Sequence, residues 1–555
     1  MSGLEHVDDY PEIPVSLAST STVLKTGAWR SVRPILTERS APCSAGCPAG
    51  IGIPAYLDDL QAGRLDAAFA AMTARNPFPR ITGRVCPHPC EDACNLPAGN
   101  GTEAVSVRAV ERWLGDATAH LPHPTAEAST GKHVAVVGSG PAGLAAAYYL
   151  RRSGHCVTVY ERRTEPGGML RYGIPDYRLP ATIVDGEVDR LLQMGIEFRT
   201  GVTLGTDITL DDLENSNSAV FVATGAWGER SLGIEGEYLL RSGLAFLEVA
   251  GRGGATAPGR RCAVIGAGNT AMDVARVLRK LGADVTVLYR RTATEMPTIR
   301  EEYQRAVAEG VTFEWLALPR AILRDHADLV VTIEEMRLGD PDASGRKRPV
   351  ATGTIREERF DAVFAATGET ADLTPLPTRM QDGDGWLNLD EDGATVDPLV
   401  FAGGDLATGP ATVVQAIVAG RRAARAIDHQ LGLDHLWPAD DAADSADVVA
   451  ANEINPTYVP RHRRVPEMPT REVDPFAEDL VTLSTADVRN EIERCASCGH
   501  CNDCGTCFVF CPDGAITWED GPVVNYEFCK GCGICVVECP GHAMILLNER
   551  ELADA

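Results

Sequence analysis

Hydrophobic and polar positions alternate in blocks along the chain, and the clearest block spans residues 132–172. There an apolar strand leads into Gly138-x-Gly140-x-x-Gly143, and a helix-compatible stretch follows. This order predicts a strand, a tight turn and a helix whose free N–H groups can bind a pyrophosphate. The next apolar strand ends at Glu161, where a carboxylate can accept hydrogen bonds from an adenosine ribose. The pattern predicts a dinucleotide-binding unit.

A second block of this kind spans residues 262–289. Its candidate binding residues are Gly266, Gly268, Asn269 and Ala271. Alanine is permitted at the third glycine position. The following strand ends in Arg290 and Arg291 instead of an acid, and guanidinium groups can bind a ribose 2′-phosphate in a bidentate manner. We therefore predict an NAD(P) site that favours NADPH, with NADH as the open alternative.

Two short apolar strands, at residues 219–225 and 361–368, share the ending Ala-Thr-Gly and lie on either side of this second unit. The repeat predicts two crossings between domains, so that the second unit is inserted in the first. A loop containing Gly168 and Met169 can bring backbone against a planar ring system, or it can be an ordinary loop.

A further candidate cofactor-binding segment, for the case of a flavin dinucleotide, lies near residue 400. An apolar strand ends in Gly404-Asp405, and a helix begins near Thr412. Asp405 can bind a ribityl chain while the helix N-terminus faces the flavin ring. A turn or capping role for Asp405 is the alternative.

The composition indicates a multidomain protein with an acidic surface. The chain has 555 residues, 44% of them hydrophobic, which suits three or four domains. Its net charge of −27 and pI of about 4.9 disfavour nucleic acid and anionic membrane surfaces as partners, because both are negatively charged. No apolar run reaches the roughly 18 residues of a membrane span, and the first residues lack the pattern of a signal peptide. We expect a cytoplasmic protein without a membrane span.

Cysteines are concentrated in two groups, at residues 43–94 and 495–539, which together hold 15 of the 17 in the chain. Close grouping without a signal peptide favours metal or cluster ligation over disulfides. The other two, Cys156 and Cys262, each start an apolar strand. We expect both to be small buried residues without a function.

The second group has the strongest pattern in the chain. Its runs are Cys501, Cys504, Cys507 and Cys511, then Cys529, Cys532, Cys535 and Cys539. This spacing is that of bacterial ferredoxins with two [4Fe-4S] clusters, in which the fourth cysteine of each run ligates the other cluster, and zinc is a poor alternative. An additional Cys495-x-x-Cys498 could shift the first register, bind another metal or have no role. We expect no role.

The first group is Cys43, Cys47, Cys86, Cys90 and Cys94. Spacing alone leaves zinc open as the alternative to an iron–sulfur cluster. The stretch Asn76-Pro-Phe-Pro-x-x-x-Gly-Arg-Val-Cys-Pro-x-Pro-Cys-Glu-x-x-Cys94 resembles the N-terminal iron–sulfur domain of the small subunit of bacterial glutamate synthase, which dihydropyrimidine dehydrogenase shares. The similarity extends to about residue 430.

The resemblance implies two [4Fe-4S] clusters in this domain. One would be bound by Cys47, Cys86, Cys90 and a non-cysteine ligand, Glu111. A solvated helix acid is the alternative for Glu111. The other cluster would need Cys43, Cys94 and an upstream Cys-x-x-Cys pair, and no cysteine precedes Cys43. We therefore predict one N-terminal cluster and three clusters in all, or about 12 iron atoms per FAD.

The resemblance also implies an α/β fold with two Rossmann-like dinucleotide-binding domains, the NAD(P) domain being inserted in the FAD domain. A helical iron–sulfur domain would precede them and a ferredoxin-like 2[4Fe-4S] domain would follow. The predicted segments are an arm (1–40), the helical iron–sulfur domain (41–125), the FAD domain (130–240 and 361–430), the NAD(P) domain (241–360), a linker (431–485) and the ferredoxin domain (486–555). We expect the linker, rich in Pro, Asp and Ala, to lie over the surface.

Flavoproteins of this kind with an appended ferredoxin domain serve dissimilatory sulfite reductase or 2-oxoacid:acceptor oxidoreductases. The resemblance therefore implies an NAD(P)H:acceptor oxidoreductase that moves electrons between NAD(P)H, FAD, [4Fe-4S] clusters and a protein redox partner. That partner would be a ferredoxin-like acceptor or a larger reductase or oxidoreductase subunit, and no catalytic acid or base is predicted.

The alternatives are a glutamate synthase small subunit and an electron-transfer subunit that is inactive without its partner. An oligomer is compatible with each reading. A fragment that ends near residue 485 is expected to keep FAD and the N-terminal cluster, because each domain would bury its own core.

Overall fold

The computed structural model describes residues 25–251, 253–342, 345–382, 386–433, 437, 447–470, 474–519 and 521–550. The first 24 residues of the predicted arm lie outside the described residues. So do residues 434–436, 438–446 and 471–473 of the predicted linker. Among the helices that are described, none is both long and apolar enough to cross a membrane.

The described helices before residue 120 have 4 to 11 residues, and the longest described helix, α16, has 18. They are α1 (Pro42–Ala45), α2 (Ile53–Gln61), α3 (Leu65–Arg75), α4 (Pro79–Val85), α5 (Pro89–Asp92), α6 (Leu96–Asn100), α7 (Val107–Ala117), α8 (Pro141–Arg152), α9 (Met169–Tyr172), α10 (Ala181–Gln193), α11 (Leu210–Ser216), α12 (Gly243–Gly251), α13 (Asn269–Lys280), α14 (Arg300–Ala308), α15 (Asp405–Thr408), α16 (Val413–Gln430), α17 (Thr485–Ile492), α18 (Thr506–Val509) and α19 (Ile534–Val537). Prolines among the cysteines, such as Pro42 and Pro89, start helices because their fixed φ suits the first turn.

The strands belong to two parallel sheets and several small antiparallel ones. They are β1 (Val32–Leu36), β2 (His133–Val137), β3 (Cys156–Glu161), β4 (Glu197–Thr200), β5 (Ala219–Val222), β6 (Ala226–Glu229), β7 (Arg241–Ser242), β8 (Arg261–Ile265), β9 (Asp284–Tyr289), β10 (Thr312–Trp315), β11 (Ala317–Asp325), β12 (Asp328–Pro341), β13 (Lys347–Phe360), β14 (Ala362–Ala365), β15 (Glu369–Ala371), β16 (Val400–Ala402), β17 (Ile516–Glu519), β18 (Gly521–Val524) and β19 (Met544–Asn548).

The first dinucleotide unit is a parallel sheet in the order β16-β5-β2-β3-β4. Every residue of β5 is buried, as expected for a parallel strand that is covered on both faces. Helices α8 and α16 pack against each other beside this sheet. A Cβ at Gly420 of α16 would lie 2.1 Å from the carbonyl oxygen of Ala142, so this glycine permits direct backbone contact between the two helices.

The second unit is a parallel sheet in the order β10-β9-β8-β14-β7, with an antiparallel sheet, β11-β12-β13, beside it. The chain passes from the first sheet to the second after β5 and returns after β14. The strands that follow these two points, β6 and β15, pair antiparallel. The repeated Ala-Thr-Gly turns therefore lead into one two-stranded connection between the units.

The helices before residue 120 share one hydrophobic core with the predicted linker and with α17. Val449, Ile454, Val459 and Leu483 of the linker are all buried in it. The described part of this segment thus does not lie only over the surface as we expected. It lacks periodicity because it follows the irregular contour of the core that it covers, and pattern analysis therefore missed its apolar residues.

The described end of the predicted arm is also part of a sheet. β1 pairs antiparallel with β19, so that Val32 lies opposite Asn548 and Leu36 lies opposite Met544. Arg30 and Arg33 both form ion pairs with Glu549, which follows this strand. The two cysteine-rich regions are therefore joined by a strand from each.

Candidate functional site

A cavity of about 1270 Å³ runs between the two dinucleotide units and is lined by both glycine turns. It exceeds the roughly 300–1,000 Å³ of a pocket for one small ligand, so it has room for two dinucleotides. Val85 and Pro87, on either side of Cys86, also line it. The predicted N-terminal cluster site therefore borders the same cavity.

The three glycines of the first turn differ in what an added side chain would contact. Gly138 has φ +101°, and a Cβ there would lie 2.3 Å from the carbonyl oxygen of Ala223. A Cβ at Gly143 would lie 1.9 Å from the carbonyl oxygen of Gly138. A Cβ at Gly140 would meet no atom within 4 Å, and this residue is the N-cap of α8 on the cavity wall. Gly140 thus leaves open the space in which a pyrophosphate would contact the helix N-terminus.

Glu161 is buried at the end of β3 and fixes the turn. Its Oε2 accepts a hydrogen bond of 3.0 Å from the backbone N–H of Ser139 and another from the Ser139 hydroxyl. Its Oε1 accepts one of 2.8 Å from the N–H of Arg163. The carboxylate lies in the cavity wall, as a residue that binds a ribose must.

The other predicted flavin contacts lie in the same cavity wall. The loop at Gly168 lies against the first turn, since a Cβ there would be 2.7 Å from the Cα of Gly140. Met169, the next residue along the chain, also lines the cavity. Burial raises the pKa of Asp405, next to Gly404, to about 6, and its Oδ1 accepts a hydrogen bond of 3.1 Å from Ala411 N–H.

Thr412 lies in the wall but has a local role as well. It is the N-cap of α16 in a capping box with Gln415, and its hydroxyl donates to Gln415 Oε1 at 2.7 Å. The side chain therefore stabilises the helix start.

The second glycine turn repeats the first. Gly266 has φ +123°, and its Cβ would lie 2.1 Å from the carbonyl oxygen of Ala366. A Cβ at Gly268 would meet no atom within 4 Å, so this N-cap of α13 also leaves open space. Ala271 is fully buried. Asn269 Oδ1 accepts hydrogen bonds from Thr298 Oγ1 at 2.9 Å and from Ile299 N–H at 3.0 Å, which fixes the loop beside the turn.

The structure separates Arg290 from Arg291, although the sequence treats them as a pair. Arg291 is buried and donates to Asp342 Oδ2 at 2.9 Å and to the carbonyl oxygen of Lys347 at 2.8 Å. Its guanidinium thus holds the hairpin between β12 and β13. Burial and the neighbouring Arg291, Arg346 and Arg230 lower the pKa of Arg290.

Arg346 was missed by the sequence analysis. It lies on the β12–β13 hairpin and lines the cavity together with Arg290 and Arg230. The basic run Arg346-Lys-Arg348 was the available signal. The pocket therefore has a cationic corner from three separate segments, which suits a 2′-phosphate.

A buried ion pair joins the two units beneath the cavity, and the sequence gave no sign of it. Arg178 donates to both carboxylate oxygens of Asp273, at 2.9 and 2.8 Å, and both residues line the cavity. Burial raises the pKa of Asp273 to about 6 even beside this arginine. The loop after α9 and helix α13 are thereby held together.

Four predicted ligands of the N-terminal cluster come together between α1, α4, α5 and α7. They are Cys47, Cys86, Cys90 and Glu111. Burial and then Glu111 raise the pKa of Cys86 to about 12. Glu111 itself is buried, which raises its pKa to about 7, and it accepts hydrogen bonds from Asn76 Nδ2 at 3.0 Å and from the Thr82 hydroxyl. It is not a solvated helix acid.

The residues here fit a cluster in another respect. The hydroxyl of Tyr56 is buried and has no hydrogen-bond partner among the described residues. Burial and then Glu111, Cys90, Cys43 and Cys47 raise the pKa of Tyr56. A polar group without a partner beside several thiols suits a site that a sulfur-rich group would fill.

Cysteines of the two ferredoxin runs lie near one another. Burial and the other three thiols of its predicted set raise the pKa of Cys535 to about 12. Cys539, from the second run, is among the groups around Cys501 and Cys507.

Two cysteines outside the groups differ in exposure. Cys262 is buried, as expected, whereas Cys156 is exposed because it stands at the open end of β3. In the part of the chain that is described, no three His, Cys, Asp or Glu side chains are arranged to share a single metal ion. Ligands of a [4Fe-4S] cluster stand farther apart, because each thiolate binds a different iron atom.

Comparison with known families supports this arrangement. The model described as pyridine nucleotide-disulphide oxidoreductase matches residues 132–420. The model described as dihydropyrimidine dehydrogenase domain II, 4Fe-4S cluster, matches residues 25–121. A 4Fe-4S binding domain model matches residues 522–545.

Three curated relatives illustrate the similarity. The chain is 37% identical over 438 residues to the NADP(+)-dependent formate dehydrogenase subunit beta of Moorella thermoacetica, covering 73% of this chain but only 61% of that relative. It is 35% identical over 524 residues to the NADPH-Fe(3+) oxidoreductase subunit beta of Geobacter sulfurreducens (84% and 76%). It is 35% identical over 415 residues to the glutamate synthase [NADPH] small chain of Azospirillum brasilense (69% and 85%).

The first of these models covers more than half of the chain, and the last relative is matched over most of its length. Cluster-binding models match on both sides of the nucleotide-binding region. The chain therefore belongs to the pyridine nucleotide-disulphide oxidoreductase family, as an NAD(P)H-dependent iron–sulfur flavoprotein.

Proposed function

We propose that this protein is an NAD(P)H:acceptor oxidoreductase that passes electrons to a protein partner at its ferredoxin end. The nicotinamide and the flavin supply two-electron hydride chemistry, and the clusters supply one-electron transfer. The protein supplies binding, orientation and exclusion of solvent. The observation that carries the proposal is the single cavity, which both glycine turns and the two neighbours of Cys86 line.

The roles of individual residues follow from their positions in this wall. For FAD we propose Gly138, Gly140, Gly143, Glu161, Gly168, Met169, Gly404, Asp405 and Thr412. For the nicotinamide nucleotide we propose Gly266, Gly268, Asn269, Ala271 and Arg290, with Arg346 added. For Arg291 we propose a positioning role, because its guanidinium is held by Asp342.

For the clusters we propose the ligand sets that the resemblance implied. The N-terminal set is Cys47, Cys86, Cys90 and Glu111. The ferredoxin sets are Cys501, Cys504, Cys507 with Cys539, and Cys529, Cys532, Cys535 with Cys511. Cys532 is exposed, and Ile534 and Val537 beside it are 36% and 69% exposed. This end of the protein is therefore suited to a partner that docks by apolar contact.

The relatives support a partner, because two of them are named as beta subunits of an oxidoreductase and a formate dehydrogenase. We propose a larger redox subunit or a ferredoxin-like acceptor as that partner, and the cytoplasm as the compartment. A glutamate synthase small chain is the second candidate, favoured by the match over 85% of such a relative. In that case electrons would leave through the N-terminal cluster.

The test uses the two glycines that leave open space. In Gly268→Val the added side chain meets no protein atom at its Cβ, so the fold should persist while the nicotinamide nucleotide is excluded. In Gly140→Val the same change should exclude FAD. We expect Gly268→Val to keep FAD and to lose flavin reduction by NADPH and NADH, measured as bleaching of flavin absorbance under anaerobic conditions.

Each variant is the control for the other. The wild-type protein should reduce a small dye with NAD(P)H. If it does not, the reading as a subunit that is inactive without its partner is correct. If Gly268→Val is reduced at the wild-type rate, the second turn does not bind the nucleotide and the proposal is wrong.

A further inference from the structure

Four cysteines that the proposed function leaves unassigned lie together between the two ends of the chain. Cys43 lies in α1, Cys94 follows α5, and Cys495 and Cys498 follow α17. Cys498 belongs to the same buried core as the N-terminal helices, and the other three pack against that core. In the sequence, Cys495 and Cys498 lie about 400 positions or more after Cys43 and Cys94, so only the folded chain brings the two pairs together.

Backbone contacts hold the segment of Cys495 and Cys498 in this place. Gly499 has φ +72°, and its carbonyl oxygen accepts a hydrogen bond of 3.0 Å from Arg39 N–H. A Cβ at Gly499 would lie 2.3 Å from the carbonyl oxygen of Arg39, so no other residue fits without a shift. On the other side, buried Arg494 donates to the carbonyl oxygens of Glu103 and, at 3.2 Å, of Ala104.

Helix α17 is fixed to the N-terminal domain as well. Buried Glu491 accepts a hydrogen bond of 2.9 Å from Ser106 N–H and one of 2.5 Å from Val465 N–H. Arg494 Nη1 donates to Glu491 Oε2 at 2.8 Å. A charged pair is not buried in this way at a loose surface contact, because each unpaired group would cost several kcal/mol.

The sulfur atoms themselves are neighbours. Asn95, next to Cys94, donates from Nδ2 to Cys498 Sγ at 3.6 Å and to the carbonyl oxygen of Val449 at 3.0 Å. Burial and then the three other thiols raise the pKa of Cys43. The hydroxyl of Tyr56, for which the described part of the chain offers no hydrogen-bond partner, lies beside Cys43 as well as beside Cys47.

We propose that Cys43, Cys94, Cys495 and Cys498 bind a fourth [4Fe-4S] cluster. Cys498 is buried and the other three are half-buried against the same core, and four thiols that converge in this way supply the full ligand set of such a cluster. In the resembled family, this cluster needs a Cys-x-x-Cys pair before Cys43, and this chain has none there. Cys495 and Cys498, which follow the linker, supply that pair instead. The proposal replaces both the expectation of three clusters and the expectation that Cys495 and Cys498 have no role.

The position of this site gives it a connecting role. Cys43 is four residues from Cys47, and Cys94 is four residues from Cys90, so two segments each supply one ligand to this site and one to the N-terminal site. Cys498 is three residues from Cys501. Four residues span at most about 14 Å. The site therefore lies between the cavity-side cluster and the ferredoxin clusters, and no other described cysteines fill that interval.

The first measurement is the iron, sulfide and zinc content of the full-length protein after anaerobic reconstitution and desalting, with Mössbauer spectra to assign the iron. We expect about 16 iron atoms per FAD in cubane form. About 12 iron atoms would overturn the proposal, and so would one zinc per chain that disappears when the four cysteines are replaced.

Paired variants give a second, independent readout. Cys43→Ser/Cys94→Ser and Cys495→Ser/Cys498→Ser should each lose about four iron atoms, and the quadruple variant should lose the same four. Losses that add in the quadruple variant would mean two separate sites and would contradict the proposal. Cys156→Ser/Cys262→Ala is the matched control and should lose none.

If the variants fail to fold, which would appear as loss of FAD, the iron content of the wild-type protein still decides between three and four clusters. The test does not use NAD(P)H oxidation, so the failure of the proposed function would be distinguishable from the failure of this inference.

Discussion

The nucleotide-binding region and the iron–sulfur region of this protein are built in different ways. In the first, the contact that fixes the glycine turn is local: Glu161 is bonded to Ser139, 22 residues away. In the second they are remote: Asn95 is bonded to Cys498, 403 residues away, and β1 pairs with β19. A strand, a glycine turn and a helix can form a binding unit from one stretch of chain, whereas the cysteine core needs both parts of the chain at once.

The difference has a consequence for folding and assembly. Closing a loop of several hundred residues costs conformational entropy before any contact repays it. Burial of apolar residues of the linker and α17 offsets this entropy cost, because they cover the core of the N-terminal helices. We therefore expect the two iron–sulfur regions to gain and lose their structure together.

Truncation after residue 484 should have the largest effect. It removes α17, Cys495 and Cys498, together with the strand partner of β1. The N-terminal core is then left open, so we now expect the fragment to lose its N-terminal cluster and to retain well below about four iron atoms per FAD. Iron and FAD content of the purified fragment check this.

This outcome is the opposite of what independent domains would give. A fragment that keeps four iron atoms per FAD and the thermal stability of the N-terminal domain would show that the helical domain folds without the ferredoxin end. The comparison between local and remote construction would then be wrong.

Asp273→Ala should have the next largest effect, because it leaves Arg178 buried without its closest partner. Breaking a buried ion pair by removing one partner costs about 3–5 kcal/mol. The free energy of unfolding in urea, followed by flavin fluorescence, measures the loss. The double variant Arg178→Met/Asp273→Leu should recover most of it, since Glu302 keeps Arg276 as a partner. If the double variant is no more stable than the single one, the pair has a further role in joining the units.

The smallest of the three effects concerns nucleotide choice. Arg290→Leu/Arg346→Leu should raise the KM for NADPH about ten- to hundredfold relative to that for NADH, because a hydrogen bond to a charged group contributes about 1.5–3 kcal/mol. Arg291→Leu is the contrasting variant: it should lower stability, through loss of Asp342 as partner, and leave the KM ratio unchanged. Equal changes for both nucleotides in the double variant would show that these arginines do not contact the phosphate.

The sequence came close to the structure wherever a motif is one stretch of chain. The two glycine turns and the terminal acid Glu161 line one cavity, and Cys511 lies near the second ferredoxin run. The crossed ligand sets themselves stay a prediction. Glu111 was open between a ligand and a solvated acid, and its burial beside Cys86 decides against solvation. Arg346 and the Arg178–Asp273 pair were missed because their partners come from other segments.

The expectation that the linker lies over the surface failed for a physical reason. The linker has little periodicity and was taken for a surface tether, yet Val449 and Ile454 are buried. The periodicity of apolar residues identifies helices and strands. An irregular segment that packs into a core has no such periodicity, so its buried residues cannot be recognised from the sequence in this way.

The sequence by itself determined the two dinucleotide units, the ferredoxin repeat and the chemistry of the cysteines, because strand, turn and ligand spacing act within some 30 residues. Only the tertiary structure decided that Asp342 holds the guanidinium of Arg291, and that Cys495 and Cys498 lie with Cys43 and Cys94. Those decisions depend on the packing of α17 and the linker against the first helices. That packing is set by the shape of the whole core, and no local spacing encodes it.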